Sequence, residues 1–169
     1  MASERSPLID YAIIGLLLVN VGFTAYATFR PTATNNAEPS ASAKSKLDIS
    51  DSQASALAAG VVKLYNAKDN FGLYQSFDSL AKAQLTQEQL TGQLNQLYPI
   101  MGTISDAAFS NAVLAGNDAG RDYFHLNYKV RLTGGPFTAG DMRLTVTPRD
   151  DGFGLVGFYI NGTSQPGGQ

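Results

Sequence analysis

A chain of 169 residues has room for one ordinary domain and an appendage. Its formal charge of -2 supplies no basic field for the phosphate contacts that dominate nucleic-acid binding, which argues against nucleic acid as a partner. With no cysteine in the chain, disulfides, thiolate metal sites, a cysteine nucleophile and a lipid anchor on cysteine are excluded.

After a short tail over residues 1–10, the chain holds an uncharged run, residues 11–29, between Asp10 and Arg30. That run matches the ~20 residues a helix needs to cross a bilayer core. Its apolar residues surround the helix instead of forming a stripe. Tyr11, Tyr26 and Phe29 near its ends suit the interfacial aromatic belt, while Asn20 and Thr24 are mild polar intrusions. A single-pass anchor is the expectation. The competing reading is a cleaved signal peptide, because Ala25, Tyr26 and Ala27 have the small-x-small form of a cleavage site. Asp10 and a weak leading region with only Arg5 stand against it.

Residues 30–50 are rich in Pro, Ala, Ser, Thr and Asn, the composition of a flexible tether. Arg5 on one side is balanced by Arg30 and Lys44 on the other, so charge does not orient the anchor. A tether beyond a signal-anchor points to an extracytoplasmic domain.

The folded part is expected over residues 51–163, followed by a tail over 164–169. Ala54, Leu57, Ala58, Val61, Leu64 and Tyr65 recur at helical spacing behind a cap at Ser50 or Asp51. This helix is expected to end within residues 66–70. FGLYQSF suggests a short second helix. Thr86 and Gln89 form a capping box ahead of Leu90, Leu94, Leu97 and Tyr98, and Pro99 and Gly102 are expected to close this third helix.

From Ile104 the period changes to two. The strand around residues 104–114 alternates less cleanly than those that follow. In YFHLNYKVRL, Phe124, Leu126, Tyr128, Val130 and Leu132 share one face, with Tyr123, His125, Asn127, Lys129 and Arg131 on the other. DMRLTVTP repeats the pattern, with Met142, Leu144 and Val146 opposed to Asp141, Arg143, Thr145 and Thr147. GNDAG, TGGP and RDDG supply the turns. FGLVGFYI is apolar on both faces, which predicts a central or doubly covered strand. The fold class expected is therefore α+β: an N-terminal transmembrane helix, then about three helices packed on one face of a curved four-stranded antiparallel sheet.

The stretches LYNAKDNFGLYQSF, LYPIMGTI, YKVRL and MRLTVTPRDDGFGLVGFYING resemble those of small bacterial members of the nuclear-transport-factor-2-like, or cystatin-like cone, superfamily. The resemblance covers most of the domain and implies a cone of sheet wrapped on helices. It implies no single activity, because such folds serve isomerases, cyclases, ligand binders and assembly modules alike. With bacterial relatives in view, the expected location is the periplasmic side of an inner membrane.

Gly152, Gly154 and Gly157 match G-x-G-x-x-G, but alternation makes the segment a strand and the chain ends before a ribose-binding acid. Asp150 and Asp151 are turn residues with too few neighbouring oxygens for calcium. His125 is the only histidine. Its parity places it on the wet or interfacial face, away from an apolar pocket, and no second histidine or cysteine exists to share a metal. Neither a catalytic residue nor a metal or other cofactor is expected.

The polar strand face (Tyr123, His125, Asn127, Lys129, Arg131 and Arg143) is the candidate contact surface, for a protein partner or for a homodimer through the outer sheet face. Lys129, Arg131 and Arg143 are expected close together, with Asp141 neutralising one of them. The alternative site is the concave side, where Tyr65, Tyr98, Phe124, Tyr128, Met142 and Phe158 would enclose a small apolar ligand. Relatives under this resemblance that isomerise or cyclise their substrates place an acid in that pocket, and parity supplies none here. The reading favoured is a membrane-tethered extracytoplasmic binding or assembly module without catalysis. The alternative is an apolar-ligand binder or an isomerase/lyase-type enzyme.

Overall fold

Helical periodicity gives way to strand periodicity at Ile104, and the fold divides at the same point. The computed structural model describes residue 47, residues 49–118 and residues 120–163. The expected anchor over 11–29, the tails and most of the tether lie outside the described residues. Among the described residues no helix is long and apolar enough to cross a membrane.

Helix α1 (Asp51–Asn66) is capped by Ser50, not by Asp51. The Ser50 hydroxyl accepts the Gln53 N–H at 3.2 Å and the Ser50 N–H donates to Gln53 Oε1 at 3.0 Å, so two otherwise orphaned groups satisfy each other. Its buried stripe is Ala54, Ala58, Val61 and Tyr65. Where one short second helix was expected there are two, α2 (Asn70–Ser76) and α3 (Ser79–Lys82). Phe77 turns extended between them and forms a parallel bridge to Leu155. Asp78 then caps α3 by accepting the Leu80 N–H at 2.8 Å.

Helix α4 (Gln87–Met101) begins with the expected Thr86–Gln89 capping box. Pro99 lies inside the helix and does not end it. One lost N–H is tolerated because the final turn is held by Tyr98 and Met101, both buried. Gly102 is the terminator, at φ 67°. Any Cβ there would collide with the Thr133 carbonyl, so this glycine lets the helix end sit directly on a sheet hairpin.

The sheet runs β1 (Thr103–Asp118), β2 (Arg121–Thr133), β3 (Ala139–Arg149) and β4 (Gly152–Thr163). The order is β1-β2-β3-β4, every pair antiparallel. β1 is longer than expected, and register shifts at Ile104/Asp106, Phe109/Asn111 and Leu114/Gly116 explain its blurred alternation. Each inserted residue moves the following side chains to the opposite face.

β4 is an edge strand, so of the two expected arrangements the central position does not hold, while coverage of the second face holds around Leu155. Its second apolar face has local causes. Leu155 is covered by the Phe77 bridge, and the Asp78 N–H donates to the Leu155 carbonyl at 2.6 Å. Gly154 meets the Asp78 and Arg149 side chains so closely that no Cβ would fit.

The helices cover one sheet face. Leu126, Leu144 and Val146 are wholly buried there with Tyr65 and Leu73. The Tyr128 hydroxyl reaches across the layer to donate to the Ala54 carbonyl at 2.9 Å. Asn66 ties the layers at the point where they meet. Its amide accepts the Ile104 N–H at 2.9 Å and donates to the Ile104 carbonyl at 2.8 Å, standing in for a neighbouring strand.

Candidate functional site

Antiparallel pairing places directly opposed residues on one face, so register determines which side chains meet. Asn111, Asn127, Arg143 and Tyr159 form a single row across all four strands on the face away from the helices. The next row holds Lys129, Asp141 and Asn161. Together they line a shallow depression of about 400 Å³.

Within it, Asn127 Nδ2 donates to Asn111 Oδ1 at 2.8 Å. Lys129 Nζ lies 2.5 Å from Asp141 Oδ1, an exposed pair. The Arg143 guanidinium stands 5.5 Å from the centre of the Tyr159 ring and has no ion pair among the described residues. The depression therefore carries one uncompensated positive charge. Asn111, Tyr159 and Asn161 were not singled out from sequence, because the β1 and β3–β4 bulges that align them carry no local signature.

Of the residues expected on this face, Asn127, Lys129 and Arg143 line the depression. Arg131 lies one row further along, opposite Asp106 and Ala139, and Tyr123 lies at the other end, opposite Gly116. The expected neutralisation by Asp141 goes to Lys129. His125 lies in the row next to Arg143, half-buried, with Nδ1 3.1 Å from Thr145 Oγ1. Burial first, then the Arg143 charge, hold its imidazole below the ordinary histidine value, so it is neutral at pH 7.

The residues of the alternative site are all buried. Tyr65, Tyr128 and Met142 are at most 1% exposed, and Phe124, Phe158 and Tyr98 range from 3% to 8%. Tyr65 packs on Tyr98 and Phe158 at ring-centre distances of 5.0 and 5.6 Å. The Tyr98 hydroxyl donates to Asn70 Oδ1 at 2.5 Å. The Tyr65 hydroxyl makes no hydrogen bond among the described residues, and burial, then Tyr98, push its pKa upward.

Asp78, the cap of α3, is also a buried carboxylate at 3% exposure. Arg149 Nε donates to its Oδ2 at 2.8 Å, and Arg149 Nη2 pairs with the same oxygen. Burial raises its pKa. The Leu80 N–H, Arg149 and the Ser79 hydroxyl together outweigh burial and hold the carboxyl below its ordinary value. Ionised and fully engaged, it is a fastening between helices and sheet, not a free proton carrier.

Among the described residues no cluster of His, Cys, Asp or Glu is arranged to hold a metal ion. No family model and no curated protein matches the chain.

Proposed function

We propose that this chain is a membrane-tethered, extracytoplasmic binding or assembly module without catalytic activity, its domain a cone of the nuclear-transport-factor-2-like kind. The observation that carries the reading is the contrast between the two sheet faces. The inner face is filled by side chains that are almost wholly buried, while the outer face holds a polar depression around an unpaired Arg143. The uncharged run over residues 11–29 supports the tether, and the composition of the segment after it supports a domain held away from the bilayer on the periplasmic side. The partner face is the outer sheet surface, for a protein or a second copy of the chain.

The test is co-purification from the native membrane. Lys129→Glu, Arg131→Glu and Arg143→Glu combined should keep the fold and lose the partner, because like-charge juxtaposition at an interface is costly. His125→Ala should keep both. Retention of the partner by the triple variant refutes the outer-face reading. Carbonate washing tests the tether: the full chain should stay with membranes, and a soluble product beginning after Ala27 would establish cleavage instead.

One observation favours the alternative reading, in which the concave side binds a small apolar ligand or runs isomerase/lyase-type chemistry. The buried Tyr65 hydroxyl lacks a hydrogen-bond partner among the described residues, and such groups are rare. If the hydroxyl serves a ligand, Tyr65→Phe should abolish uptake of apolar probes. If it is only packed, Tyr65→Phe should leave stability equal or raised.

A further inference from the structure

The outer depression combines three properties that together specify a ligand chemistry. The first is charge. Lys129 is neutralised by Asp141, leaving Arg143 as the net positive charge among the lining side chains. One cation matches a monoanion better than a phosphate dianion.

The second is the state of that cation. Held over the Tyr159 ring and not against a carboxylate, the guanidinium keeps its in-plane N–H groups open to accept a planar, two-oxygen partner. A carboxylate has that shape.

The third is the surrounding amides. The Asn127–Asn111 bond uses one donor and one acceptor and leaves Asn127 Oδ1 and the Asn111 amide N–H groups without partners among the described residues. The Asn161 side chain, one row over, makes no hydrogen bond among the described residues. Amides that offer donor and acceptor side by side suit hydroxyl groups, each of which both gives and takes a hydrogen bond. The volume, about 400 Å³, lies in the ordinary range for small-ligand sites.

We infer that the depression binds a hydroxylated carboxylate, the chemistry of an acidic sugar such as a uronic acid, with the carboxylate on Arg143 and hydroxyls on Asn111, Asn127 and Asn161. This rests on the outer-face reading above and adds to it a small-ligand subsite within the surface proposed for a protein partner. Binding is linked to pH. The groups facing His125 are Arg143 and Thr145 from β3, Val113 from β1, Gly157 of β4 in the same row, and Tyr123 and Asn127 along its own strand. Arg143 is the charged one among them. An anion seated on Arg143 relieves the repulsion felt by a protonated His125, and by reciprocity protonating His125 tightens the anion.

The only histidine in the chain gives a single resonance set to watch. Purified full-length protein in detergent micelles is titrated with D-glucuronate, D-glucose, acetate and an acidic peptide while His125 is followed by NMR across pH. Glucuronate should raise the His125 titration midpoint, saturably and more tightly at lower pH, and glucose should not. Arg143→Gln should abolish the effect. Asn127→Ala should weaken glucuronate about tenfold, equivalent to about 1.4 kcal/mol, with acetate unchanged. Matching melting curves certify that both exposed-face variants are folded. Acetate acting as strongly as glucuronate, or glucuronate acting equally on Arg143→Gln, overturns the proposal. A response to the acidic peptide without one to glucuronate overturns the sugar chemistry and leaves the outer-face reading standing. Partner retention by the triple glutamate variant overturns that reading separately.

Discussion

Replacing Arg149 by leucine tests how the helical layer is fastened to the β3–β4 hairpin. Asp78 sits at 3% side-chain exposure and Arg149 at 42%, so the substitution leaves a buried carboxylate with the Leu80 N–H and Ser79 hydroxyl but no countercharge. Removing one partner of a fully buried pair costs ~3–5 kcal/mol. Because Arg149 is well exposed, solvent screening reduces this to ~1–3 kcal/mol. For a folded region of this size that is a drop of roughly 5 to 15 °C in Tm.

The pH profile carries the decisive sign. In the wild type the Asp78 pKa lies below its unfolded value, so its contribution is full above the unfolded pKa and lost as pH falls through the folded one. Without Arg149 the hydrogen bond and charge of the guanidinium no longer hold the carboxyl down, so its pKa rises and less stability is lost when it is protonated. The gap between variant and wild type should therefore be widest near neutral pH and narrow on acidification. Urea denaturation across pH measures it. An Arg149→Leu variant within about 0.5 kcal/mol of wild type at pH 7, with a parallel acid limb, would refute the reasoning.

Leu126→Asp and Val130→Asp each place an unpaired charge on the buried face, costing several kcal/mol, about enough to unfold the domain, as circular dichroism at room temperature should show. Asn66→Ala removes both bonds to Ile104 and should cost about 1–3 kcal/mol in chemical denaturation, with Asn66→Asp recovering the accepted bond only. His125→Ala should change neutral stability by no more than about 0.5 kcal/mol. It should also flatten the acid limb: because the folded imidazole pKa is depressed, its contribution is full above the unfolded value and lost as pH falls through the folded one.

What could be read from sequence was local chemistry. The Ser50 and Thr86 caps, the alternation from Tyr123 to Leu132 and the turns at Gly120, Gly134 and Gly152 each need only neighbouring residues. The misses are long-range. Asp78 caps a helix in a way visible from sequence, but its pairing with Arg149 depends on a chain reversal 71 residues later. The candidate site shows the same limit. The two-residue turn at Asp150 and Asp151 fixes a register that would put Phe158 opposite Arg143. The shift between Thr145 and Val146 advances it by one, so Tyr159 lies under the guanidinium and Phe158 enters the core. The apolar composition of β4 reports coverage without saying what supplies it: a central strand and a covered edge read alike, and here a turn of chain at Phe77 and Asp78 supplies the cover.

That coverage bears on solubility. A four-stranded open sheet has two borders where another chain could add itself. At β4 the border is closed around Leu155 by the segment leading into α3. At β1 the strand is broken by three register shifts, which interrupt the straight run of hydrogen-bonding groups that a growing fibre would need despite the exposed Val113 and Leu114. Irregularity along β1 thus acts as the chain's guard against polymerising. A sequence repaired to ideal alternation there would gain regular strand geometry and lose that guard.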